Sequence, residues 1–421
     1  MSTSSSRAPF WIVLLVAGAI AGGVVRAELT GVPGAPRALP PELAHLTDEE
    51  LARVRRMSPM PPVAPDPTNR FWGDLGAAEL GHRLFFDRRI SPAGVSCATC
   101  HEPARHFTDG RPLAQGIETA RRNSPTVVDA ARRRWVGWDG KFDSLWSQAL
   151  SPIENPVEMG SSRSALVDLV RRDDRLRERY ERVFGSLADD ADLDSTTADL
   201  LKALGAYQAR LVSGPAPIDR FVDALEGRPG GDFEALSPPA RRGLAIFVSN
   251  GGCFQCHRGP SFTDEEFHAL GLVGENGRVP DDPARLAAVD FLRGNPFNAA
   301  GRFSDAPDSP KAKLSSALRR SPELFGQFRT PPLRGVAETA PYMHDGRFAT
   351  LEDVVRFYDT LEGAAPGGHH GEQVLVPLEL GERGRSDLVA FLRSLTGKSP
   401  DPVWSAEPNR AVVRTGPPQA R

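Results

Sequence analysis

"GVSCATCHEP" at residues 94–103 and "NGGCFQCHRG" at residues 250–259 hold all four cysteines of the 421-residue chain. Cys97, Cys100, Cys253 and Cys256 fall into two C-x-x-C-H pentapeptides, closed by His101 and His257. Each pentapeptide is approached in the same way. "LGAAELGHRLFFD" places Leu75, Leu80, Leu84 and Phe85 near one helical face, and "RISPAG" breaks the helix before the first pentapeptide. "SPPARRGLAIFVSNGGCFQCH" repeats the plan from Ser237: a short amphipathic helix, a glycine turn, then C-x-x-C-H. The chain thus carries a weak internal repeat of one module.

The two thiols of C-x-x-C-H can form thioethers with haem vinyl groups, and the adjacent histidine lies where its imidazole can ligate the iron. Three other uses compete. Zinc knuckles pair C-x-x-C motifs roughly 15 to 20 residues apart, whereas more than 150 positions separate Cys100 from Cys253. Disulfides would not require a histidine after each pair. A thioredoxin-like redox motif needs a βαβ setting, and strand signals are nearly absent. Two covalent c-type haems are the expected cofactors.

The first 27 residues carry one arginine before an apolar run from Phe10 to Val25, then Val25-Arg26-Ala27. This reads as a secretory signal peptide and points to the periplasm; an uncleaved N-terminal anchor is the other reading. No cysteine precedes Cys97, so a lipoprotein-type acylated cysteine is excluded, and no later stretch is apolar enough to span a bilayer. A net charge of −3 leaves no electrostatic footprint for nucleic acid.

About 390 mature residues exceed what one hydrophobic core organises, so two domains are expected. The expected division is a signal peptide at 1–27, a proline-rich extended lead-in at 28–69, wrapped over the first domain, haem domains at 70–235 and 236–400, and a tail at 401–421. Between the motifs, "SALVDLVRRDDRLRERYERVF" and "TADLLKALGAYQARLV" have helical spacing. Residues 273–325 read as long irregular loop, and a final helix, "LVAFLRSLTG", is expected to stop at Gly397. The fold class is therefore mostly α: two cytochrome c-like domains, each with one covalent c-type haem, joined by long irregular loops.

Two covalent haems suit a mere electron carrier, so the discriminating residues lie outside the motifs. The segment 122–160 is dense in residues a carrier does not need: Trp138, Gln148, Pro152 and Glu158. A glutamate beside an open haem can move a proton between the oxygens of bound peroxide, because heterolysis needs the leaving oxygen protonated. The plain alternatives are a surface carboxylate for Glu158 and core packing for Trp138. In "TLEDVVRFYDTL", Leu351, Val354, Val355, Tyr358 and Leu361 share a helical face, with Thr350 a suitable N-cap.

The order and spacing of "LFFD", both C-x-x-C-H motifs, "RNSPT", "WDG", "NPVEMG" and "TAPYMHDG", from about Leu75 to Gly397, resemble the bacterial dihaem cytochrome c peroxidase and MauG family. The resemblance implies that His101 is the proximal ligand of the peroxide-reactive haem in the first domain, with Glu158 and Gln148 on its distal side. Pro152 would shape that pocket and Trp138 would stand between the haems, the second of which is held by His257. Asn123 by its side chain, with the carbonyls of Thr339 and Pro341, matches the family's calcium site, and oxygen ligands suit calcium.

Two positions separate branches of this family. A loop histidine caps the resting reactive haem in the peroxidase branch; Gln115 holds that place here, and His106 is the other histidine in the loop. The distal ligand of the second haem is methionine in the peroxidases and tyrosine in MauG. Tyr358 falls at that position, with a core tyrosine as its plain reading and Met343 as the competing ligand. A phenolate is a hard anionic donor, and axial-ligand identity is a main redox lever. The second haem would then store an oxidising equivalent as well as transfer electrons.

The expected function is an exported dihaem enzyme that uses hydrogen peroxide to reach a state two electrons above diferric and oxidises a partner protein. The MbnH-type branch, which modifies tryptophan on a small partner, is suggested by "LEGAAPGGHHGE" at 361–372, whose His369–His370 pair could bind a metal. The alternative is a peroxidase that reduces hydrogen peroxide to water with electrons from a small cytochrome or copper protein. A non-enzymatic dihaem electron carrier is third.

Overall fold

The structure, a computed structural model, describes residues 38–187, 192–273, 282–365 and 375–408. The signal-like segment and the His369–His370 pair lie outside them. Strand structure among the described residues is a two-residue antiparallel ladder between β1 (Phe267–His268) and β2 (Phe328–Arg329), with Phe267 opposite Arg329, plus isolated bridges. Everything else is helix and loop, as the sequence leads one to expect.

Two apolar clusters organise the helices. The first gathers α2 (Leu75–Phe86), α4 (Leu145–Glu154), α5 (Arg163–Arg172), α6 (Asp174–Phe184) and α7 (Leu193–Gln208). Asp74 caps α2 by accepting from Ala77 N at 2.8 Å. α2 and α7 cross so closely that a Cβ on Gly81 would lie 2.0 Å from Ala203 O. The second cluster gathers α8 (Pro217–Leu225), α9 (Pro238–Val248), α12 (Leu351–Thr360) and α13 (Gly381–Arg393). There α9 crosses α13 at Gly243, whose added Cβ would lie 2.0 Å from Asp387 O. In each half, then, the helix leading into C-x-x-C-H meets a later helix through a glycine.

The tertiary packing departs from the linear reading at both ends of the chain. Residues 38–57 are not an extended strap over the first domain. They form a 3-10 turn (Pro41–Leu43) and helix α1 (Asp48–Arg55), closed by a Thr47/Glu50 capping box. Leu43, Leu46, Leu51, Val54 and Met57 are buried in the second cluster, where Arg53 donates to Val248 O and Arg334 to Met57 O. Burying five such side chains outweighs any proline-driven extension, at roughly 1.5–3 kcal/mol each. Similarly, Ile218, Phe221 and Val222 of α8 pack in the second cluster, so packing does not follow a division at 235/236. At the other end, helix α14 (Pro402–Ser405) brings Trp404 against the first cluster.

Two further expectations are corrected. The stretch 273–325 contains α10 (Arg285–Gly294) and α11 (Pro310–Ala317), the latter started by Ser309 as N-cap and Pro310 in the first turn. α13 ends at Arg393 rather than at Gly397; Gly397 instead lies backbone to backbone against Gly214. No helix among the described residues is long and apolar enough to cross a membrane.

Candidate functional site

The first pentapeptide opens a single helical turn, α3 (Cys97–Cys100), in which Ser96 N donates to Thr99 Oγ1 and His101 N to Cys97 O. The second folds as a 3-10 turn over Cys253–Gln255, with His257 N donating to Cys253 O at 2.8 Å. All four cysteines are free, so the disulfide reading fails. Burial pushes the thiols up, to about 12 for Cys97 and Cys253 and about 11 for Cys100. Cys256, Asp264 and His268 offer atoms within 4.8 Å of one another, but a cation there would need the sulfur that a thioether uses.

Both histidines are oriented from behind. His101 Nδ1 lies 3.2 Å from Phe107 O, and His257 Nδ1 lies 2.9 Å from Phe262 O. Each carbonyl belongs to a buried phenylalanine in the left-handed region, φ 58° for Phe107 and 54° for Phe262. A hydrogen bond from Nδ1 to a carbonyl fixes the tautomer and leaves Nε2 to ligate a metal. Ser124 adds to the first site, its hydroxyl donating to Cys100 O at 2.8 Å and lying 3.4 Å from His101 Nδ1.

A cavity of about 920 Å³ fits the second haem. Cys253, Cys256 and His257 line it, as do Leu351, Val354, Val355, Tyr358 and Leu361 of the face read from the sequence. Thr350 caps that helix, accepting from Asp353 N at 3.1 Å. Burial, with Cys253 and Cys256 nearby, pushes the Tyr358 phenol well up; a ferric ion held by that oxygen would reverse the preference. Met343, at φ 73°, lines the same cavity.

Gln148 and Pro152, expected on the distal side of the first haem, lie one turn apart on α4, and Glu158 follows in the next loop. Pro152 has no N–H, so it leaves the Gln148 carbonyl without its usual helical partner. The Glu158 carboxylate acts electrostatically on both Cys97 and Cys100, so it lies near the first motif. Asn155 Nδ2 donates to its Oε1 at 2.7 Å. Gln115 O accepts from Cys100 Sγ at 3.5 Å, while the Gln115 side chain bonds within its own loop, to Thr119 and Gly116. His106 lies against the second half of the chain, where a Cβ on Gly335 would meet its Nε2 at 2.7 Å.

Trp138 lines the second cavity and donates from Nε1 to Asn123 O at 2.9 Å. Asn123 precedes Ser124, the residue that contacts His101, so a short run of chain connects the two sites. Asn123, Thr339 and Pro341 also line this cavity, and Asn123 Nδ2 donates to Arg111 O at 2.8 Å. Sequence reasoning passed over Ser124 within "RNSPT", although its place beside Asn123 was visible. The left-handed Phe107 and Phe262 leave no sequence signal, because neither residue type favours that conformation.

The di-haem cytochrome c peroxidase family profile matches residues 76–227. Cytochrome-c peroxidase IdrP1 of Denitromonas iodatirespirans is 34% identical over 354 residues, covering 83% of this chain and 88% of its own. Methylamine utilization protein MauG of Methylorubrum extorquens is 34% identical over 359 residues, 84% of this chain and 87% of its own. Among solved structures, a MauG-like protein associated with microbial copper homeostasis aligns with a TM-score of 0.64 at 25% identity, covering 83% of this chain and 98% of that one. The dihaem peroxidase BthA of Burkholderia thailandensis aligns with a TM-score of 0.61 at 25% identity, covering 81% and 89%. The chain belongs to the dihaem cytochrome c peroxidase and MauG family. It is a peroxide-dependent dihaem oxidoreductase with two c-type haems, one for each C-x-x-C-H motif.

Proposed function

We propose that this enzyme works in the MauG manner, using hydrogen peroxide to oxidise a partner protein at a distance. The observation that carries the reading is Tyr358, presented by α12 into the cavity that Cys253, Cys256 and His257 also line. When bound, the haems supply the redox chemistry, accepting two electrons' worth of oxidation from peroxide. The chain supplies proton control and placement. With Glu158 Oε1 held by Asn155, Oε2 is left to take the proton from the near oxygen of peroxide and return it to the leaving one. Gln148 and Pro152 border that pocket, and Trp138 carries charge between the sites.

The test is Tyr358→Phe, which keeps the ring and removes the oxygen. Its low-spin haem signal should change, and Tyr358→Met should raise the second haem's reduction potential and abolish oxidation of a partner. An unchanged low-spin spectrum in Tyr358→Phe would make Met343 the ligand. The second reading, a peroxidase fed by a small cytochrome or copper protein, would then lead, since Met343 lines the same cavity and several relatives are named cytochrome c peroxidases.

Gln115 in the capping position, and His106 turned toward Gly335, support a resting state open to peroxide. Electron paramagnetic resonance of the diferric protein should give one high-spin and one low-spin haem; two low-spin signals would contradict this. Calcium at Asn123 Oδ1 and the carbonyls of Thr339 and Pro341 is a further part of the proposal, supported by their shared cavity and checked by calorimetric titration. Export to the periplasm and cleavage after a signal peptide complete it.

A further inference from the structure

Arg133 and Arg329 both line the second cavity, and each has a buried Nε with no hydrogen-bond partner. Arg329 is 4% exposed; its Nη1 donates to Thr330 O at 3.1 Å and lies 3.5 Å from Glu265 Oε1. Arg133 donates from Nη2 to Thr126 O at 2.9 Å and forms no ion pair among the described residues. The other arginines on this cavity are matched: Arg132 with Asp129, and Arg334 with Asp219. Asp129 is already engaged by Arg132 and by Ser213, which leaves Glu265 as the carboxylate between two guanidinium groups. Burial and the facing Arg329 push the Arg133 guanidinium down to about 10. An uncompensated buried cation is costly, and proteins hold such groups where an anion completes them.

We propose that Arg133 and Arg329 together form the carboxylate site for the propionates of the haem attached at Cys253 and Cys256. A guanidinium presents a planar fork of donors that matches a carboxylate, and the two orphaned Nε groups are the donors such an anion would take. Arg133 also acts electrostatically on His101, so the pair lies where its charge reaches both sites. The pair therefore anchors the second haem and sets its potential, since a nearby cation favours the reduced form. The inference rests on haem attachment at the second motif and not on the choice between partner oxidation and peroxide reduction.

The test uses the haem-loaded protein with Arg133→Gln and Arg329→Gln, and mass spectrometry counting attached haems. Spectroelectrochemical titration should find the second haem harder to reduce, its reduction equilibrium falling on the order of tenfold, 59 mV for one electron. Arg329→Lys keeps the charge and should stay closer to the parent. Unchanged potentials in both Gln variants with two haems attached would overturn the proposal, as would a fall confined to the first haem. Should Arg329→Gln fail to fold, Arg133→Gln decides. Partner oxidation is not measured, so a wrong functional branch would leave this result unaffected.

Discussion

In the first half of the molecule α2 crosses α7 at Gly81 and leads to His101, whose Nδ1 is held by the carbonyl of a left-handed Phe107. In the second, α9 crosses α13 at Gly243 and leads to His257, held by the carbonyl of a left-handed Phe262. Behind the haem ligands the two halves therefore repeat each other. On the function proposed above they diverge across from those ligands: the first half would offer Gln148, Pro152 and Glu158 from α4 and its following loop, and the second Tyr358 from α12. The common half of each site concerns attachment, which imposes one geometry. In that proposal the divergent half concerns reactivity, since an open position with an acid and a position closed by an anionic ligand would do different chemistry.

The largest effect should fall on the first distal side alone. Glu158→Gln keeps the shape and removes the acid, so peroxide-driven oxidation should slow by roughly 10² to 10⁴ in stopped-flow absorbance, with haem content normal. Unchanged kinetics would reduce Glu158 to a structural partner of Asn155.

Next come the glycine crossings, where the comparison predicts equal damage. Gly81→Ala and Gly243→Ala each drive a methyl into backbone, and overpacking of this kind costs about 1–3 kcal/mol or more. Denaturant unfolding should find both variants destabilised to a similar degree. If only one of them suffers, the two crossings are not equivalent.

Acid sensitivity should distinguish the first half. His82 stacks on Tyr207 at 4.8 Å, and burial lowers its pKa from the usual 6.5 to about 4. Between those values the unfolded chain binds a proton that the folded chain refuses, so this contribution to stability is complete above pH 6.5 and is lost as pH falls toward 4. His82→Phe should flatten that part of the melting-temperature profile, by about 1–3 kcal/mol at its acid end. An identical profile would mean that the ring accepts a proton without cost.

The smallest effects concern the caps of the two leading helices. Asp74 accepts from Ala77 N, and Ser237 from Ala240 N. Asp74→Ala and Ser237→Ala should each lower stability by about 1 kcal/mol, measured by thermal unfolding with the haems attached. A much larger loss in one would show that its helix depends on local rather than tertiary support.

Much of the site was legible because its chemistry is written in adjacent residues. C-x-x-C-H places two sulfurs and an imidazole within one turn, and the α12 pattern needs only helical periodicity to put Val354, Val355 and Tyr358 on one face. The irregular reading of 273–325 missed α10 and α11 because their short apolar patterns are diluted by glycine, proline and aspartate on either side. Gly397 reads as a helix stop, yet its need is for close approach to Gly214, a residue far away in the chain.

The amino-acid sequence alone determined the two attachment modules and the helical class, and it singled out Glu158 as the candidate acid and Tyr358 and Met343 as the candidate ligands, since each depends on residue type and local spacing. Only the tertiary structure decided that residues 38–57 and α8 complete the second core, that Trp404 returns to the first, and that Phe107 and Phe262 turn left-handed to hold the histidines. It alone brought Arg133 and Arg329 together. Those outcomes are set by the burial of apolar surface and the pairing of buried polar groups between residues far apart in sequence, and no local pattern encodes which distant partner a side chain will meet.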